Sequence, residues 1–280
     1  MTTESAEPSP RGAAVAPEPR PQPLRRMLGE SAVYGLGGVA NQALAIVLVP
    51  IYARQLGVAN FGTVAILTTT LSLATLVATA ALPQAFFRAY LKDAQDEHER
   101  DAVLQTTLGL RIIISTLALL AFTALSLPLA IALIGSASAW LLMALIGPIV
   151  FFDTLNLVPL SLLRARRRAR PYAALSFSRA VLGSLLIVLF VVVLGMGVMG
   201  VVLGSLGSSI VTAMFGMLVL AGERRPALGL DGRLVRRMLA FSLPLVPASV
   251  AGWTLNLSDR YLVQALEGRE AVGLYSAGYT

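Results

Sequence analysis

At 280 residues, 56% of them hydrophobic and 13% charged, the chain lies outside the composition of soluble domains, and its mean hydropathy of +0.75 makes lipid the main solvent. The net charge of +7 comes from twenty-one arginines and one lysine, so the positions of these side chains decide between a nucleic-acid and a membrane role. The absence of cysteine excludes disulfides, thiolate catalysis and cysteine-held metals.

The first 24 residues carry six prolines with scattered Glu and Arg and no apolar centre, which predicts a disordered cytoplasmic tail and not a cleavable signal peptide. Leu24-Arg25-Arg26-Met27-Leu28 then reads as a short basic segment at the membrane surface. Residues 112–152 and 180–222 contain no charged side chain. One crossing needs only about 20 apolar residues, so each run holds two. The predicted spans of the first bundle, 25–222, are 31–53, 62–87, 103–127, 137–163, 172–194 and 198–221. Pro128 with Gly135-Ser136-Ala137-Ser138, and the glycines at 195, 197 and 200, mark the turns inside the uncharged runs. A basic cytoplasmic linker at 223–241 leads to span seven at 242–266 and to the start of span eight near 270.

Basic residues alternate by connection: 19 fall in the tail and the second, fourth and sixth connections with their flanks, against Arg54, Arg260 and Arg269 on the other side. Positive charge is retained on the cytoplasmic side, which puts the N-terminus in the cytoplasm. The densest cluster, Arg164 to Arg170, has no interleaved aromatics and lies between two spans, which fits anionic lipid and excludes a nucleic-acid partner. His98 stands among loop charges and reads as solvated.

An offset of 211 residues brings Arg25-Arg26-Met27-Leu28 onto Arg236-Arg237-Met238-Leu239, Ser31 onto Ser242, Val39-Ala40 onto Val250-Ala251, Gly57 onto Gly268 and Gly62 onto Gly273 without a gap. Six spans separate the copies, so they share one orientation, as in a parallel repeat about an axis along the membrane normal. The expected fold is an all-α polytopic membrane protein: a first six-helix bundle plus the start of a second. A complete second bundle needs roughly 200 residues at about 20 per crossing plus loops, so the native protein is expected to be longer.

Three stretches carry a family resemblance: Ala53-Arg54-Gln55-Leu56-Gly57-Val58-Ala59-Asn60-Phe61-Gly62, Ser258-Asp259-Arg260-Tyr261-Leu262, and Ala271-Val272-Gly273-Leu274-Tyr275-Ser276-Ala277-Gly278-Tyr279. Together with the span pattern, residues 24–280 resemble the polysaccharide-biosynthesis flippases of the multidrug/oligosaccharidyl-lipid/polysaccharide exporter superfamily, which include the O-antigen lipid-linked oligosaccharide flippase. The resemblance implies two bundles facing a central cavity, alternating access by rocking, and translocation of a lipid-linked oligosaccharide or polysaccharide precursor across the bacterial cytoplasmic membrane. It implies a polyprenyl-diphosphate-linked glycan as substrate and polysaccharide polymerase or ligase components as partners. No cofactor is implied beyond proton or sodium coupling.

A charge at the centre of a spanning helix costs on the order of 2.5–3.5 kcal/mol on insertion scales, so intramembrane charges are functional candidates. Asp153 lies about ten residues from the inner end of span four, near the midplane at helical rise, with Asn156 on its face. Two readings stand for it: a cavity carboxylate that binds a coupling ion or pairs with an arginine, and a structural ion pair inside the bundle. Arg88, Arg111 and Arg179 lie on the cytoplasmic half. Their guanidinium forks suit a diphosphate, and their stems equally suit snorkelling to headgroups. Asn256, Asp259 and Arg260 share a face near the outer end of span seven, where a gate role competes with a rim position.

A drug/cation antiporter of the same superfamily would share the topology but place acidic residues in the cavity. A polymerase, ligase or glycosyltransferase would need an outer site, whereas the predicted outer loops are short and carry no acid pair or metal-ligand cluster. The expectation is therefore a transporter and not an enzyme.

Overall fold

The computed structural model describes residues 54–223 and 228–279; the Pro-rich tail, span one and Arg224 and Arg225 lie outside the described residues. All regular structure among the described residues is helical, and five helices, or six with one bent pair, are long and apolar enough to cross a membrane. The protein is an all-α, multi-pass membrane protein. With no water to bond exposed amides in a bilayer, helices that close their own backbone bonds are the solution available to these apolar runs.

The second crossing is helix α1 (Val58–Thr79) continued by α2 (Leu82–Arg88) and one π-helical turn (Ala89–Asp93). Helix α3 (Glu97–Ala124) starts on Asp96, whose carboxylate accepts from the Glu99 amide at 2.7 Å. An N-cap there satisfies one of the orphan donors of the first turn. The chain continues through α4 (Ser126–Leu129), reverses at Gly135, and returns through α5 (Trp140–Ala144) and α6 (Ile146–Ala165). Pro128 sits within α4, and the reversal falls to Gly135 in the left-handed region at φ 74°. Helices α7 (Ala169–Val188) and α8 (Gly197–Glu223) follow as a hairpin.

The expected continuous span at 62–87 is broken at Ala80 and Ala81, both left-handed at φ 47° and 50°. Pro83 in the first turn of α2 cannot supply an amide to the ladder, which fits the start of a new helix there. The linker contains an amphipathic helix, α9 (Gly232–Ser242), capped by Asp231, whose carboxylate accepts from the Arg233 amide at 2.8 Å. A bend of 40° joins it to α10 (Leu245–Leu257) and α11 (Asp259–Tyr279). Within α11, Gly268 has φ 81° and ψ −174°, and there the path turns back. The Tyr275 hydroxyl accordingly donates to Asp259, sixteen residues earlier, which a straight helix would hold about 24 Å away.

The core runs between α1, α6 and α8, with Ile66, Met143, Ile146 and Val150 enclosed, and Val272 of α11 closes it from the side. A second cluster joins α2, α3, α6 and α9 through Phe86, Leu104, Leu162 and Met238. It lies at the end where the basic connections gather. There Arg166 donates to the Tyr90 hydroxyl at 3.1 Å and pairs with Glu223 at 3.3 Å, Arg168 reaches Glu223 at 3.6 Å, and Arg237 reaches Asp93 at 3.8 Å. Burial lowers the Arg166 pKa, but its bonds to Tyr90 and Glu223 raise it more, leaving the guanidinium above its ordinary value. Part of the arginine cluster is thus spent on holding α2, α6 and α8 together.

The two glycine pairs related by the 211-residue offset behave alike. Gly57 (φ 74°, ψ 165°) and Gly268 (φ 81°, ψ −174°) adopt the same backbone conformation, open essentially to glycine alone. Five residues on, Gly62 and Gly273 meet. A Cβ on Gly62 would stand 1.9 Å from the Arg269 carbonyl oxygen, and one on Gly273 would stand 2.3 Å from that of Val58. Val58 and Arg269 are themselves 211 apart, so the contact is reciprocal.

Candidate functional site

Asp153 projects from the middle of α6 between α7 and α8. Its two carboxylate oxygens accept from the two terminal nitrogens of Arg179 at 2.5 and 2.6 Å, and Oδ1 also accepts from the Ser209 hydroxyl at 2.5 Å. The bidentate fork matches carboxylate geometry, and the hydroxyl fills a further lone pair. The carboxylate is nearly enclosed, with 9% of its side chain exposed, while Arg179 keeps 38% exposed. Three helices are therefore joined by one compensated charge.

On the other side of Asp153 lies an open cavity of about 510 Å³ between α1, the α1–α2 break and α10. Thr68, Ser72, Thr75 and Thr79 line it at helical spacing along one face of α1, and Gln84 of α2 and Ser249 of α10 complete the polar lining. Asp153 is the one ionisable side chain among its described lining residues. The Ser72 hydroxyl accepts from Trp253 Nε1 at 2.8 Å, and Thr70 and Tyr261 share a hydrogen bond at 2.8 Å. These neutral bonds tie α1 to the α10–α11 segment.

Arg111, expected among the substrate contacts, is 1% exposed and donates to the carbonyls of Ala78 and Thr79 at 3.2 and 3.3 Å. The break in the second crossing leaves those C-terminal carbonyls without intrahelical donors, and a cation is the group that complements this end of a helix dipole. Beside it, Ser115 and Thr154 share a hydrogen bond at 2.7 Å. Arg88 lies outside the cavity, with its guanidinium carbon 4.8 Å above the Phe241 ring in a smaller recess shared with Asp93 and Arg237. Of the three arginines, the structure brings Arg179 alone to Asp153.

Asn156 is buried at 1% and faces α8, where a Cβ on Gly216 would stand 2.5 Å from its Oδ1. Gly216 is thus the close-approach point that makes room for the amide. At the far end of α10, Asn256 donates to the Gly252 carbonyl at 2.7 Å, Asp259 accepts from Tyr275, and Arg260 lies 3.8 Å from Asp259. This group stands apart from the Asp153 cluster. Two elements of the site were absent from the sequence reading. Ser209 is one of several serines and glycines in its segment and carried no signal, whereas the hydroxyls at 68, 72, 75 and 79 form a visible helical face.

No group of three or more His, Asp or Glu side chains among the described residues could hold a metal ion. The helical arrangement is that of a polytopic membrane protein with an open cavity beside Asp153. It resembles an inward-facing multidrug-resistance MATE transporter of the MOP superfamily (TM-score 0.67, 20% identity, 85% of this chain and 57% of that one). It also resembles a MOP superfamily transporter from Pyrococcus furiosus described as having a binding pocket of reversed polarity (TM-score 0.66, 19% identity, 89% and 59%). An outward-facing MATE transporter gives TM-score 0.63 at 21% identity, over 89% and 60%. The chain spans about three-fifths of the length of these structures. The family described as "Polysaccharide biosynthesis protein" matches residues 28–280, and the chain belongs to that family. No curated protein matches the sequence closely.

Proposed function

We propose that the protein translocates a lipid-linked oligosaccharide or related polysaccharide precursor across the cytoplasmic membrane, with the N-terminus and the basic connections on the cytoplasmic side. The observation that carries this reading, beside the family, is the charge state of the cavity wall. Its one described carboxylate, Asp153, is matched by Arg179 and Ser209. A drug/cation antiporter needs acidic charge free to face a cation, and here that charge is already compensated.

In this reading the Asp153–Arg179 pair couples transport to a proton or sodium ion: a cation taken up by the carboxylate weakens its hold on α7 and α8. The reciprocal contact of Gly62 with Gly273 supports a pseudo-two-fold axis between the two repeats, with α1 and its repeat equivalent crossing at the outer side. Arginines at the basic end that are not engaged by Glu223 or Asp93 meet anionic headgroups. A polymerase or ligase component takes the delivered glycan.

The test is a flipping assay with the full-length protein in proteoliposomes carrying polyprenyl-diphosphate-linked oligosaccharide. Wild type is expected to flip the lipid, and folded Asp153→Asn to flip it at a markedly lower rate. Absence of flipping by folded wild type, together with proton-driven efflux of a cationic dye, refutes the reading in favour of an antiporter.

A further inference from the structure

Resting on that reading, we infer that the α1 wall of the cavity is a binding subsite for the glycan of the substrate, and that its diphosphate is held outside this wall. Four hydroxyl residues, Thr68, Ser72, Thr75 and Thr79, form one face over three helical turns, and the Gln84 amide stands at its inner end. Thr68 gives its proton to the Ala65 carbonyl, which leaves its oxygen as an acceptor, while Ser72 is held between the Thr69 carbonyl and Trp253 Nε1. The Gln84 amide adds two donors and an acceptor, and the hydroxyls of Thr75 and Thr79 can each donate and accept.

Such a surface matches sugar hydroxyls, which present both donors and acceptors and carry no charge. It matches neither end of the charge scale. A diphosphate needs fixed cationic donors, yet Arg179 forks onto Asp153, Arg111 is enclosed with a terminal nitrogen on the Ala78 and Thr79 carbonyls, and Arg88 lies over Phe241 in a different recess. A lipophilic cation needs an uncompensated carboxylate or an aromatic face, and the described lining residues offer neither. The volume of about 510 Å³ takes a unit or two of a sugar chain.

The experiment is equilibrium binding to the full-length protein in nanodiscs, read by native mass spectrometry. It compares undecaprenyl diphosphate, the same lipid carrying a neutral trisaccharide, and tetraphenylphosphonium. Wild type is expected to prefer the sugar-bearing lipid by about tenfold or more, the range set by a few net hydrogen bonds. Thr75→Val combined with Thr79→Val, isosteric and without the hydroxyls, is expected to erase that preference while leaving the affinity for undecaprenyl diphosphate unchanged. Gln84→Ala, at an exposed position that tolerates truncation, is expected to lower the preference several-fold. A retained preference in both variants overturns the subsite and leaves the transport reading standing. Equal binding of the two lipids by wild type also overturns the subsite. Binding of tetraphenylphosphonium with neither lipid overturns both.

Discussion

Replacing Asp153 by asparagine removes the carboxylate that holds Arg179 in the membrane while keeping an acceptor for Ser209. Two unit charges about 4 Å apart interact by roughly 4 kcal/mol at an effective dielectric of 20. Arg179 is 38% exposed, so about half of that is screened, and Asp153→Asn is expected to destabilise the fold by about 1–2 kcal/mol. Arg179→Gln leaves the more enclosed partner, at 9% exposed, without its counter-charge and is expected to cost more, about 2–3 kcal/mol. The double variant has no charge to strand, so its loss should fall well below the sum of the singles, with a coupling of about 1–2 kcal/mol. Reversible unfolding in lipid nanodiscs across the four proteins measures the cycle. Additive losses, with each single below about 0.5 kcal/mol, would refute the claim that this pair joins α6, α7 and α8.

Arg111→Leu strands the Ala78 and Thr79 carbonyls in the bundle and is expected to lower stability by about 2–3 kcal/mol, with Arg111→Lys restoring part of it, in the same unfolding measurement. Gly62→Val puts a Cβ where the Arg269 carbonyl oxygen stands 1.9 Å away, so α1 and α11 must separate. A cysteine at Val272, fully buried in the native packing, is then expected to react several-fold faster with a membrane-impermeant thiol reagent; an unchanged rate would mean that the contact yields elsewhere. Arg166→Ala removes bonds to Tyr90 and Glu223 in a partly exposed setting, for an expected loss of about 1 kcal/mol by thermal melting that shrinks at high salt.

The crossings were legible in the sequence because uncharged runs longer than one bilayer have few other uses, and Asp153 stood out as a lone acid after a long uncharged run. The Gly57 and Gly62 matches at an offset of 211 were legible as well, although the meeting of Gly62 with Gly273 needed coordinates. The break in the second crossing was not legible, since it falls on Ala80-Ala81, two strong helix formers, and not on a glycine. For that reason the role of Arg111 was unreadable: without the break there are no open carbonyls for it to complement. Arg179 lies 26 residues from its partner and Ser209 lies 56, spacings that carry no periodic signal. The hydroxyl face at 68, 72, 75 and 79 has helical period, but an uncharged row of Thr and Ser does not differ in sequence from a packing face.

Charge among the described residues is placed sparingly, in a way that bears on the proposed transport. Among the arginines, Arg111 at a helix end and Arg166 among Tyr90 and Glu223 stabilise the fold from within, and others stand at the basic rim. Asp153 and Arg179 stand apart from both sets, because they cancel one another beside a cavity whose remaining polar groups are neutral. A cancelled pair can be switched by a single cation, whereas a lone charge in the same place would bind an opposite charge permanently or shift to its neutral form. Under the proposed coupling, switching the pair loosens the hold of α6 on α7 and α8, while the reciprocal glycine contact keeps α1 against α11.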